Sequence, residues 1–290
     1  MSTTAYVLAR PTAARAARAA RAARLRPGVA LALLVVAGAV LAALWPESLT
    51  DRSPDATAPA RALRPPDAEH PFGTDQLGRD VYARVVHGAR LSLQIGVGAT
   101  VIGAVVGTVI GLVAGLGGRA ADAVSMRVTD ILTAFPELLL ALLVITVTGP
   151  GTTNVLVSIG VASVPGYARL VRSRALVVRR ADFVEAGVAL GVSRPALVLR
   201  HILPNTLGPL LVLASIGTGT AVVSGAALSY LGMGPRPPAA EWGVMLADGQ
   251  DFVQTAWWTT VFPGLAVAAV VMAVTVLGRA LRERGTEATR

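Results

Sequence analysis

Asp182-Phe183-Val184-Glu185-Ala186-Gly187-Val188-Ala189-Leu190-Gly191, running on through Val192-Ser193-Arg194-Pro195 to His201-Ile202-Leu203-Pro204-Asn205, is a punctuated polar stretch between two long apolar segments. Asp182 and Glu185 stand at capping-box spacing, so Asp182 is expected to accept from the exposed N–H groups of a helix start while Glu185 reaches back. The helix would cover 183–190, with Gly191 in the left-handed stop position. Ser193 is a fresh N-cap and Pro195 fits the first turn that follows. A second helix is expected to end before Pro204. Phe183, Val184, Leu190, Leu197 and Val198 give this loop apolar surface. It either packs back on the rest of the chain or offers a docking face to another protein.

The segments around it decide the fold class. The chain has 290 residues, 53% hydrophobic and only 15% charged. A soluble domain carries about a quarter charged residues. A bilayer core of ~30 Å needs ~20 apolar residues as helix, and six segments meet or approach that: 28–45, 91–118, 131–148, 151–168, a stretch within 202–235 and 256–278. Pro204 and Pro209 place the start of the fifth near Leu207. A short Gly149-Pro150-Gly151 turn joins the third to the fourth. The expectation is an all-α polytopic membrane protein with six transmembrane helices. Its parts would be a basic tail (1–27), a first span (28–45), an outer loop (46–90), a core (91–283) containing the 172–204 loop, and a tail (284–290).

Arginine placement orients the spans. One side collects Arg10, Arg15, Arg18, Arg21, Arg24 and Arg26, then Arg119 and Arg127. It also holds Arg169, Arg172, Arg174, Arg179, Arg180, Arg194 and Arg200, and then Arg279, Arg282, Arg284 and Arg290. The other side holds Arg52, Arg61, Arg64, Arg79, Arg84, Arg90 and Arg236. Both termini and the 169–204 loop therefore read as cytoplasmic, with 46–90 and 232–255 outside. The basic start followed by an apolar run has the outline of a signal peptide, but five further spans favour a retained anchor. The Arg-Ala-Ala triplets read as a tail near anionic lipid rather than a nucleic-acid arm.

Absences narrow the chemistry. There is no Cys, hence no thiol or thiolate-metal site. There is also no Lys, all 26 basic residues being Arg. A P-loop needs its Lys on the nucleotide phosphates, so any ATP-driven step has to come from another chain. His70, His87 and His201 are too scattered to make a metal site by spacing. Gly73-Thr74-Asp75 and Gly78-Arg79-Asp80 lack the strand–helix context of a phosphate cradle and read as an ordered turn and short helix leading into the second span, or as a contact for a docked extracellular binding protein.

Ala99, Gly103, Gly107, Gly111 and Gly115 form a small-residue stripe that lets helix backbones approach closely, as in a helix buried in a bundle or along a homodimer seam. Glu137 is the acid well inside a span. Asp130 lies seven residues earlier, so both are expected on one helix face, with Glu137 lining or gating a path or bonding a neighbouring helix.

Glu185-Ala186-Gly187 with Gly191 and Ile202-Leu203-Pro204 resembles the EAA loop of permease subunits of bacterial ABC importers. The stretch His70-Pro71-Phe72-Gly73-Thr74-Asp75-Gln76-Leu77-Gly78-Arg79-Asp80 adds to that resemblance, as do Leu228-Ser229-Tyr230-Leu231-Gly232-Met233-Gly234 and Glu241-Trp242-Gly243-Val244-Met245-Leu246. With Phe262-Pro263-Gly264-Leu265, they are similar to the C-type permease of dipeptide, oligopeptide and nickel importers. The likeness spans about residues 66–283. It departs from the family pattern at Gly187, at Pro235-Arg236, at Ala239-Ala240, and at Thr275 and Arg279. The resemblance implies a type I ABC importer (MetI-like) architecture with a cytoplasmic coupling helix. Asp182, Glu185, Ala186, Gly187, Gly191 and Pro204 would make the contact to the ATPase. It implies a B-type permease partner, one or two ATPase subunits carrying ATP and Mg, and an extracytoplasmic solute-binding protein. No cofactor is expected on this chain, nor any nucleic-acid partner. The competing readings are a secondary transporter using Glu137 for proton coupling, and a membrane-anchored scaffold.

Overall fold

The computed structural model describes residues 27–287, with side chains as far as Glu283. The basic 1–26 tail and the side chains of Arg284 and Arg290 lie outside the described residues. The described chain is helical apart from loops and one isolated bridge between Thr74 and Asp80. Its helices are α1 (Pro27–Leu44), α2 (Val81–Leu116), α3 (Gly118–Thr133), α4 (Glu137–Thr148), α5 (Thr152–Val178), α6 (Asp182–Ala189), α7 (Arg194–Leu197), α8 (Leu203–Tyr230), α9 (Trp242–Gly249) and α10 (Trp258–Glu287). Five are long and apolar enough to cross a membrane, α7 and α8 being continuous through a π-helical turn at Val198–Ile202. The α3–α4 pair is bent by 93° and makes a sixth only if counted as one broken span.

Three helix expectations need correction. The second span is not 91–118 but a 36-residue helix beginning at Val81, about 54 Å long. Asp80 caps it, its side chain accepting from the Ala83 N–H at 2.8 Å, so the 46–90 loop ends at 80. The third span is not one helix over 131–148. Pro136 disfavours helix at Phe135, and the chain breaks between Thr133 and Glu137. The fifth does not start near Leu207, and the helix that begins at Arg194 does not stop before Pro204 but runs on to Tyr230. Pro204 sits in the first turn of α8, where a missing N–H is tolerated. The preceding π turn widens the backbone, and the Asn205 side-chain amide donates to the His201 carbonyl at 2.6 Å.

The core is the seam between α2 and α5. Ala99, Gly103, Gly107, Gly111 and Gly115 are buried, and α5 lies directly on them. A methyl on Gly111 would come within 2.6 Å of the Ala168 carbonyl and 2.7 Å of Val171, and one on Gly115 within 2.9 Å of Ala175. Lipid tails are as apolar as Leu, so this close backbone packing, rather than escape from water, holds membrane helices together. Leu140, Ile145, Val155, Ile159 and Leu228 fill one end of the bundle. Val81, Val86, Trp242, Met245, Trp258 and Val270 fill another, beneath the 46–80 loop.

Candidate functional site

The 182–204 region is anchored by one face and free on the other. Val184 is 4% exposed and packs with Ala175 and Ile202. Gly187 is buried because Leu197 lies where its side chain would go, 2.8 Å from an added methyl. The opposite face carries Phe183, Glu185, Ala186, Val188 and Leu190, with Leu190 83% exposed. Neither Asp182 nor Glu185 makes a side-chain hydrogen bond or ion pair among the described residues. The expected capping box is therefore absent. Ala181 occupies the N-cap position, and Asp182 is the first helical residue, where an acid still favours the helix dipole. Gly191 has φ +77 with open space around it, so its need for glycine is conformational. Ser193 stands at the N-cap of α7 without a side-chain bond.

A second feature is a cleft of roughly 330 Å³ walled by α2, the α3–α4 elbow, α5 and α8. Glu137 opens α4 and lines it, with Thr100, Thr133, Ser163, Tyr167 and Thr220 among the polar side chains and Leu132, Phe135, Ile159, Leu213 and Ile216 among the apolar ones. Asp130 does not join it. The elbow turns Asp130 away from Glu137, and its carboxylate pairs instead with Arg169 at 2.8 Å. The shared helix face expected for these two acids is thus corrected by the break at Pro136. Arg169 also donates to Thr133 Oγ1 at 2.7 Å, and Arg172 holds Asp122, so two cations on α5 fix α3 in place.

The 70–80 motif is a polar lock over the start of α2. The Asp75 carboxylate accepts from the N–H groups of Leu77 and Arg79, both at 2.9 Å, and from Arg79 Nε at 2.6 Å. Arg84 Nε lies 3.6 Å from the same carboxylate, and Arg84 also donates to the Pro54 and Pro238 carbonyls. Asp80 meets Arg52 at 2.9 Å and His70 at 2.7 Å. Thr74 is pinned through its hydroxyl to the Arg61 carbonyl and through its own carbonyl to Trp258 Nε1. Gly78 has φ +72, and any side chain there would collide with the Ala58 backbone. The motif forms an ordered turn without the short helix expected at the sequence level. Burial holds the neighbouring Asp248 carboxyl above its ordinary value, against the pull of Arg79 and Arg84.

Several contributors escape a reading of sequence alone. Glu241 is 1% exposed, accepting from Ser92 Oγ at 2.8 Å and the Val244 N–H at 3.0 Å. Tyr167 is 4% exposed, with Gly103 and Gly107 against its ring side and Gly217 beneath its hydroxyl. The sequence signals were present: an acid inside an apolar run at 241, and a tyrosine opposite a glycine stripe. Only the fold shows which helices meet.

Five helices long and apolar enough to cross a membrane, a bent helix pair and a short helix docked by one face make this a polytopic all-helical chain among its described residues. A family model for the binding-protein-dependent transport system inner membrane component matches residues 107–285. The chain is 42% identical over 251 residues to the dipeptide transport system permease protein DppC of Alkalihalophilus pseudofirmus, covering 87% of this chain and 83% of that one. It is 44% identical over 218 residues to the glutathione transport system permease protein GsiD of Escherichia coli O1:K1 / APEC, covering 75% and 72%. Its fold is similar to that in a solved structure of inward-facing conformations of the MetNI methionine ABC transporter, with TM-score 0.55, 20% identity, and coverage of 69% of this chain and 95% of that one. The chain belongs to the binding-protein-dependent inner membrane component family. It is a multi-pass permease subunit of an ABC importer with MetI-like architecture, a transport subunit and not an enzyme, working with an ATPase and a binding protein.

Proposed function

We propose that this chain forms half of a translocation pathway for peptides, or for a related small solute such as nickel, and that a B-type permease supplies the other half. The relatives named for dipeptide and glutathione transport support the peptide class. Both termini and α6 lie on the cytoplasmic side in this reading, supported by the arginine asymmetry. One or two ATPase subunits, holding ATP and Mg, dock on α6. The solute-binding protein meets the opposite side, where the 70–80 lock stands, and anionic lipid contacts the basic tail. This chain itself carries no cofactor.

The observation that carries the coupling role is the two-faced α6: Val184 and Gly187 are buried, while Phe183, Glu185, Val188 and Leu190 stand free. A helix fixed by one face moves with the bundle as a rigid body. An ATPase that binds its other face more tightly in one state than in the other shifts the equilibrium between them. The test is copurification of the ATPase with the permease. Glu185→Arg and Gly191→Trp are expected to lose it while the permease remains folded. Retention of both ATPase and uptake in the two variants refutes the docking role.

A further inference from the structure

We propose that the intramembrane cleft is a site for an organic ammonium, with Glu137 its counter-charge as the solute passes. The inference rests on reading the cleft as part of the solute path and adds the chemistry that the path selects. Glu137 is the one charged side chain among the described residues lining it. The hydroxyls around it have their hydrogens engaged within their own helices. Thr100 Oγ1 donates to the Gly96 carbonyl at 2.8 Å, Ser163 Oγ to Gly160 at 2.9 Å, and Thr220 Oγ1 to Ile216 at 3.3 Å. A hydroxyl whose hydrogen is engaged turns only lone pairs toward the cavity. Tyr167, the remaining hydroxyl of this set, shares a side-chain hydrogen bond with Thr100.

The wall therefore presents acceptors and one carboxylate. Among the described residues lining it there is no cation to meet an anionic group, and Arg169 beside it is held at Nη2 by Asp130 and Thr133. A primary ammonium meets a carboxylate and several free oxygen lone pairs, and bonds of this charge-assisted kind are the stronger ones. Leu132, Phe135, Leu213 and Ile216 line the rest. That apolar share suits an organic body and not a hydrated divalent ion, which prefers oxygen ligands on all sides. An ammonium attached to an apolar side chain, as at the N-terminus of a short peptide, satisfies both parts.

The test uses the assembled transporter in nanodiscs, without its binding protein, so that the permease does the selecting. The probes are leucyl-leucine, N-acetyl-leucyl-leucine and leucinamide, the last an amine that is not a peptide. Wild type is expected to bind leucyl-leucine and leucinamide at least about tenfold more tightly than the acetylated peptide. Glu137→Gln is expected to abolish that preference and Glu137→Asp to keep part of it, with ATPase activity confirming assembly in each variant. Equal binding of free and acetylated probes, a preference that survives Glu137→Gln, or no binding of any probe overturns the proposal. The peptide reading is separated by ATP-driven uptake of the two peptides with the binding protein present. Uptake of both without discrimination at Glu137 leaves the peptide reading standing and removes the ammonium site. Uptake of neither, with Glu137-dependent binding of leucinamide, does the reverse.

Discussion

Arg172 grips Asp122 through both arms of its guanidinium, Nε to Oδ1 at 2.5 Å and Nη2 to Oδ2 at 2.6 Å. The two residues are 50 positions apart, and the pair ties α3 to α5 just after the chain leaves the α2–α5 seam. One turn back, Arg169 holds Asp130 through a single contact, Nη2 to Oδ1 at 2.8 Å. The broken α3–α4 element is thus clamped at its α3 arm, while the α4 arm bearing Glu137 reaches into the cleft.

Breaking the clamp is expected to loosen the elbow without unfolding the bundle. Both partners are partly exposed, about a third each. The loss from Asp122→Ala or Arg172→Ala should be modest, about two- to fivefold in the population of the native elbow. Hydrogen exchange across 118–133 measures it. The swapped pair Asp122→Arg with Arg172→Asp should recover protection, and failure of the swap to improve on either single variant would refute the clamp.

The α2–α5 seam predicts a sharper response. Gly111→Ala places a methyl 2.6 Å from the Ala168 carbonyl, and overpacking of this kind costs about 1–3 kcal/mol. Gly38→Ala in α1, where nothing lies within 4 Å, serves as the control. Thermal aggregation of detergent-solubilised protein should occur at lower temperature for the first and be unchanged for the second. Equal behaviour of the two would mean that α5 does not press on the stripe.

The helical class, the small-residue stripe and a short helix expected at 183–190 and found at Asp182–Ala189 were legible because each depends on local pattern: hydropathy, a four-residue period and a glycine stop. The start of α2 was not, since Arg84, His87 and Arg90 break the apolar run while the helix continues. Its polar beginning is covered by the folded 46–80 loop, with Arg84 only 1% exposed. The elbow was written in Pro136, but averaging over a hydrophobic window hides a single breaker. Asp182 at capping spacing fits either the N-cap or the first helical position, which differ by one residue. Arg172 with Asp122, and Tyr167 with Gly217, are pairings across helices that no spacing rule reaches.

The loop network carries a pH signature. Burial raises the Asp248 carboxyl above its ordinary 3.8, with Arg79 and Arg84 opposing. Between that ordinary value and the raised one, the folded chain holds a proton that the unfolded chain has released. Stability contributed by this group is therefore present at acid pH and falls as pH rises through the window. Asp67 works in the opposite sense, its carboxyl lowered by the His70 N–H, so its share is lost as pH falls. Asp248→Asn is expected to remove the first slope and leave the second. Melting of the variant should exceed wild type at neutral pH and match it near the acid end. A wild-type curve parallel to the variant throughout would exclude this role for Asp248.

The two faces of α6 should separate in mutagenesis. Leu190 is 83% exposed and Val184 4%, although both are aliphatic residues of one short segment. Val184→Ala removes contacts with Ala175 and Ile202, and truncating a buried aliphatic side chain costs about 1–3 kcal/mol. Its first effect should be on melting temperature, with weaker ATPase binding following from disorder of the helix. Leu190→Ala removes nothing from the folded chain, so its melting temperature should stay at the wild-type value. If Leu190 is buried when the ATPase docks, the affinity for that partner should fall about tenfold. Titrating purified ATPase against permease in nanodiscs measures both variants. Wild-type affinity in Leu190→Ala, at unchanged stability, would move the docking face away from the end of α6.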